Sequence, residues 1–220
     1  SGGGEGSRSE RTGMTDLLGH LEEEVLLCDG AMGSRVQAAN LNVEIDFWGK
    51  ENCTEVLNLS RPDIVREIHR GYAAAGADIV LTNSFGGSPI TLAEFDLQDQ
   101  ALEINKRAGE LACEAIAEFD GKPRYVLGSI GPGTKLPSLG QIDYDTLEAA
   151  LAVQSEGLLL GGVDGVVVET VQDILQLKAA VNGARIAMRK TGIERPILTK
   201  ETVEPTVTLL VGTDIAAAPD

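Results

Sequence analysis

The sequence lacks most of the features that mark a specialised class. It holds one tryptophan, three tyrosines and four phenylalanines in 220 residues, too few to build an aromatic platform for stacking bases. Eighteen Lys and Arg stand against 34 Asp and Glu, a formal charge of −16. A surface so acidic repels a phosphate backbone, and no basic patch offsets it, so nucleic acid is excluded as a partner. No apolar run approaches the roughly 20 residues of a membrane span, and no apolar segment of a secretory signal opens the chain. Cysteine is scarce as well. Cys28, Cys53 and Cys113 are odd in number and widely spaced, with no C-x-x-C pair. That pattern fits reduced thiols in the cytoplasm better than a disulfide framework or a zinc knuckle.

What remains is an ordinary globular composition, 43% apolar and 24% charged, with length enough for one sizeable core. The opening SGGGEGSRSERTG, residues 1–13, reads as a linker or tag-like leader before a domain over 14–220. From there two kinds of segment alternate. EVLLCDG (24–30), DIVLTNSFG (78–86), RYVLGSIGPG (124–133), DGVVVETVQD (164–173) and RPILTKET (195–202) are short apolar runs rich in Val, Ile and Leu, as in strands buried on both faces. Between them lie helical patterns over 60–76, 97–121, 145–162 and 173–192. The first has Ser60 as its expected N-cap, Pro62 in the first turn and Gly76 at its end. The second carries Leu102, Ile104, Ala108, Leu111, Ala112, Ala115 and Ile116 on one stripe. Strands alternating with helices predict an α/β fold with a parallel sheet. A weak echo between AGADIVLTNSF (75–85) and GGVDGVVVETV (161–171) adds the alternative of a (β/α)₈ barrel, whose chemistry sits at the carboxyl ends of the strands.

Those carboxyl ends carry Asp29-Gly30, Thr82-Asn83-Ser84-Phe85, Ser129 to Gly133, Glu169-Thr170 and Glu201-Thr202. Acids at the ends of buried strands need a cation, a donor or solvent. Converging on one rim they hold a substrate ammonium, ligate Mg²⁺ as in a lyase barrel using Asp29, Glu169 and Glu201, or serve as acid and base. Residue chemistry alone leaves these uses open. Each residue also has a plainer role: Asp29 as a turn cap, Asn83 satisfying loop backbone, Glu169 as a solvated helix-entry acid. The glycines of GSIGPG lack the Gly-Lys-Ser/Thr and G-x-G-x-x-G spacings of nucleotide-binding loops. His20 and His69 have no nucleophile near them in sequence and read as structural.

Four segments in order, DGAMGS (29–34), NLSRPDIVREIHRGYAAAGADIVLTNSFGG (58–87), RYVLGSIGPGTKLPSLG (124–140) and VVVETVQDILQLKAAV (167–181), resemble the homocysteine S-methyltransferase family, in the form of the homocysteine-binding domain of cobalamin-dependent methionine synthases. The resemblance implies a TIM-type (β/α)₈ barrel, of which this chain would supply the first five to six β/α units. It implies that Asp29, with Gly30, and Glu169 hold the amino-acid end of L-homocysteine, and that Thr82, Asn83 and Phe85 line the same pocket. It further implies methyl transfer from methylcobalamin to a homocysteine thiolate formed on a three-cysteine zinc, with methylcobalamin and methyltetrahydrofolate brought by other synthase domains. The family's zinc cysteines belong to G-x-N-C and G-G-C-C segments that this sequence does not contain up to Asp220. Cys28 is then expected to be core packing. Catalysis by these residues alone is not expected, self-association through an open barrel edge is, and a non-catalytic half-barrel scaffold is the alternative function. Lys200 and Pro205, in KETVEPTV, depart from a plain strand end.

Overall fold

The computed structural model describes residues 13–201. Within them a parallel sheet of four strands, β1 (Ile79–Leu81), β2 (Tyr125–Ile130), β3 (Gly165–Val171) and β4 (Ile197–Glu201), runs in chain order. Each crossover carries a long helix: α4 (Pro62–Ala74) leads into β1, and α6 (Ala101–Ile116), α7 (Tyr144–Leu160) and α8 (Ile174–Thr191) follow. Shorter helices complete the set, namely α1 (Gly13–Glu23), α2 (Met32–Ala38), α3 (Leu57–Ser60) and α5 (Pro89–Leu92). The four long helices pack on their neighbours in the same sequence as the strands. A strand order that never reverses, under helices that also never reverse, differs from the reversing order of a doubly wound sheet.

Both faces of the sheet are buried, as the unbroken apolar runs require. Val80, Val126, Ile130, Val166 and Val168 join Leu151, Leu158 and Leu177 of the helices in the main core. The alternate residues Ile79, Tyr125, Leu127 and Val167 face the other way and are covered by Leu17 of α1. That helix has no counterpart in the sequence-based expectations, which placed a leader up to residue 13. Helix ends follow local chemistry. The Asp143 and Asp173 carboxylates accept from Thr146 and Leu175 N–H at the starts of α7 and α8, worth about 1 kcal/mol each, and Gly192 closes α8 at φ +71°.

Several expectations are corrected. Ser60 is not the N-cap of α4, which starts after Arg61 without a side-chain cap. Ser60 ends α3, and its hydroxyl donates to the Asp46 carbonyl at 2.5 Å. Leu102 leaves the buried stripe of α6 and is 40% exposed. The largest change concerns 24–30, where a strand buried on both faces was expected. Only one bridge forms, Cys28 beside Ile79, and Val25 and Leu27 are 91% and 62% exposed. Cys28, expected in the core, is exposed too. The segment pairs with β1 on one side, through Ile79 N–H to the Leu27 carbonyl at 3.0 Å, and has no neighbour on the other among the described residues.

The echo seen in the sequence is structural. Asp78 Oδ2 accepts the Leu27 N–H at 2.9 Å, and Asp164 Oδ2 accepts the Val126 N–H at 2.8 Å. In each case an Asp just before a strand fastens the backbone of the strand preceding it. Lys200 lies in β4 opposite Glu169, while Pro205 falls outside the described residues.

Candidate functional site: an acid-lined cavity at the strand ends

A cavity of about 630 Å³ opens at the carboxyl ends of the strands, and all six singled-out residues, Asp29, Gly30, Thr82, Asn83, Phe85 and Glu169, line it. Asp29 follows the bridged segment, and its Oδ2 accepts the Leu81 N–H at 3.0 Å. Partial burial pushes its pKa up to about 6, against the lowering effect of that N–H, and the nearby Glu169 charge adds to the rise. Glu169 lies where β3 breaks register: Thr170 adopts φ +63° and a bulge separates Glu169 from Val171. A positive φ is costly for a β-branched residue. Here it turns the carboxylate, only 14% exposed, into the cavity. Ser129 Oγ donates to Glu169 Oε1 at 2.6 Å, and Lys200 Nζ stands 3.8 Å from Oε2. Glu169 is therefore a held acid, not a solvated helix-entry one.

The turn after β1 is pinned from several sides. Thr82 Oγ1 accepts the Ser129 N–H at 3.0 Å and contacts Ser84 Oγ at 2.6 Å, while the Ser84 hydroxyl donates to the Ser129 carbonyl at 2.7 Å. Asn83 spends both side-chain donor contacts on protein, the Thr54 carbonyl at 2.7 Å and Asn58 Oδ1 at 3.1 Å. It thus satisfies loop groups while lining the cavity. Phe85 is 45% exposed at the cavity wall. Its amide has no partner among the described residues. Gly131 fits beneath it because a Cβ there would meet the Phe85 carbonyl at 2.6 Å.

Gly30 is needed for close packing. A side chain at this position would meet the Tyr72 hydroxyl at 2.9 Å, and that hydroxyl donates to the Ala31 carbonyl at 3.0 Å. Sequence reasoning missed Glu55, which lines the cavity while only 7% exposed and accepts the Gly86 N–H at 2.7 Å. Burial raises its pKa. Glu55 sits in a loop with no periodic pattern to flag it. Ser129, also missed as a site residue, was marked only by standing at a strand end. His69 is fully buried, with neither ring nitrogen bonded, and His20 contacts the Tyr125 hydroxyl at 3.3 Å. Neither lines the cavity.

With Glu94 and Glu55 beside Asp29 and Glu169, and Lys200 the one base among the lining residues, the cavity favours an ammonium group. It does not offer a metal centre. Among the described residues no group of three or more His, Cys, Asp or Glu can hold an ion. Cys53 and Cys113 lie in separate cores. The Cys28 thiol is pushed up to about 12 by partial burial and the adjacent Asp29, the reverse of what a thiolate ligand needs. The described residues thus do not fit a three-cysteine zinc site.

The sequence profile of the homocysteine S-methyltransferase family matches residues 26–219. Methionine synthase of Mycobacterium tuberculosis is 46% identical over 207 residues and that of Mycobacterium leprae 47%, each match covering 93% of this chain. The chain spans 17% of the length of these curated relatives. Among solved structures it is similar to the homocysteine methyltransferase MmuM from Escherichia coli. The oxidized form has a TM-score of 0.71 at 23% identity, covering 90% of this chain and 70% of that one. The metallated form has a TM-score of 0.71 at 22% identity, covering 91% and 70%. The structural likeness speaks for the fold and the sequence match for the lineage: the chain belongs to the homocysteine S-methyltransferase family.

Proposed function

We propose that this chain forms the homocysteine pocket of a methionine synthase, acting in the cytoplasm as the first five to six β/α units of a (β/α)₈ barrel. The observation that carries the reading is the convergence of Asp29 and Glu169 on one cavity, with the unpartnered Phe85 N–H at its wall. The two carboxylates take the substrate ammonium and the amide takes its carboxylate, leaving the thiol end free to point outward. Gly30, Thr82 and Asn83 shape the pocket rather than touch charge. The relatives' name supports methyl transfer to homocysteine as the whole protein's reaction. Zinc, methylcobalamin and methyltetrahydrofolate would then be held outside the described residues, the last two by other synthase domains. Calorimetric titration with L-homocysteine under reducing conditions tests the pocket. Asp29→Asn and Glu169→Gln each remove one charge-assisted contact, and each weakens binding roughly 10- to 150-fold. Unchanged affinity in both variants refutes the assignment.

The exposed segment bearing Val25 and Leu27, which among the described residues has a neighbour on one side only, supports a second proposal, self-association through this edge. Sedimentation velocity at rising concentration decides it: a single monomer boundary throughout rules it out.

A further inference from the structure

Gln154, in the middle of α7, is fully buried below the cavity and is not one of its lining residues. Its Nε2 donates to the Ser84 carbonyl at 2.6 Å and reaches the Ser129 carbonyl at 3.4 Å. Its Oε1 has no hydrogen-bond partner. Swapping the amide would set an oxygen against two carbonyl oxygens, so the orientation is dictated by its neighbours. A buried carboxamide that leaves half its capacity unused costs stability, which calls for a use. We propose that Gln154 is a positioning residue for the amino-acid pocket, an inference that rests on the function proposed above.

The effect falls on the carboxylate end of the pocket. Every peptide bond of the described chain is trans, so the Phe85 N–H points opposite to the Ser84 carbonyl. By drawing that carbonyl toward α7, Gln154 turns the Phe85 N–H away from the helix layer and to the cavity side, where a substrate carboxylate would be met. Its reach to the Ser129 carbonyl is longer, 3.4 Å, and the Ser129 hydroxyl holds Glu169 independently of it. Other buried amides assist on the same turn: Asn58 Nδ2 donates to the Asn83 carbonyl at 2.8 Å and Asn105 Nδ2 to the Gly87 carbonyl at 2.7 Å. Of these three amides, Gln154 is the one that reaches both the turn after β1 and the end of β2.

The near-isosteric Gln154→Met variant removes donation while keeping bulk. Titration compares L-homocysteine with 3-aminopropane-1-thiol, which keeps the ammonium and thiol but lacks the carboxylate. The expected result is about a tenfold loss for homocysteine and less than a twofold change for the amine thiol. Equal losses for both ligands mean a merely loosened fold and overturn the positioning role. A parent that binds neither ligand fails the pocket itself, a separate result that removes the basis of this one. If the variant melts early, the parent decides: homocysteine must shift the Phe85 amide and Gln154 side-chain NMR resonances together, and 3-aminopropane-1-thiol must leave both in place. Resonances unmoved by homocysteine overturn the proposal.

Discussion

At the scale of single residues, two buried or half-buried groups, Asp29 in the pocket and His69 outside it, have opposite consequences for stability. Asp29 has its folded pKa raised to about 6, mainly by partial burial. The folded state therefore binds the proton more tightly than the unfolded chain, and this residue's contribution to stability falls as pH rises from about 4 to 6. Asp29→Asn removes that penalty. It raises stability at pH 7.5 by something on the order of 1 kcal/mol, discounted for partial exposure, while weakening homocysteine binding; melting and titration of the same sample check both signs. For the parent, homocysteine affinity must decline as pH falls through about 6, because the carboxylate is the binding form. His69 runs the other way. Burial alone pushes it down to about 4, so its contribution is complete above pH 6.5 and is lost as pH falls toward 4. His69→Leu removes two unpartnered buried nitrogens and flattens that part of the acid-unfolding curve. A variant whose melting temperature keeps the parent's slope between pH 4 and 6.5 contradicts this. Asp29 and Glu169 were legible in the sequence because acids at the ends of apolar strands are costly anywhere but a site. Glu55 and Gln154 were not, since one sits in an unpatterned loop and the other reads as one polar residue in a helix.

At the scale of elements, the helix layer meets the sheet by size matching. A Cβ on Gly128 of β2 would meet Leu158 Cδ1 of α7 at 2.9 Å, and Leu158 is fully buried. Leu158→Ala is expected to cost about 2–5 kcal/mol through the cavity it leaves. Gly128→Ala costs about 1–3 kcal/mol through overpacking. The double variant should cost about 1 kcal/mol or more less than the sum, since the new methyl enters the space vacated. Strict additivity in urea unfolding contradicts this contact. The alternation of strands with the four long helices was readable from hydrophobic period alone, although the run 78–86 shortens to Ile79–Leu81. Segment 24–30 was misread because a run such as VLLC looks the same whether a strand has two neighbours or one. Burial there is decided by what pairs with the free side, and no property of the run itself records that. Helix α1 was hidden because its start adjoins a glycine-rich leader.

At the scale of the molecule, the described residues form a parallel sheet under helices with an acid-lined cavity at its strand ends, which we propose recognises an amino acid. Their charge suits an ammonium, and their cysteines do not suit zinc. The sequence match to methionine synthases and the fold likeness to MmuM agree on lineage, while the substrate rests on Asp29, Glu169 and the Phe85 amide. The most direct test is a crystal structure of the chain soaked with L-homocysteine. The account predicts the amino group within hydrogen-bond distance of both Asp29 and Glu169, the carboxylate on the Phe85 N–H, and the sulfur turned to the open mouth. Homocysteine bound with its amino group facing solvent, or bound elsewhere on the chain, contradicts it.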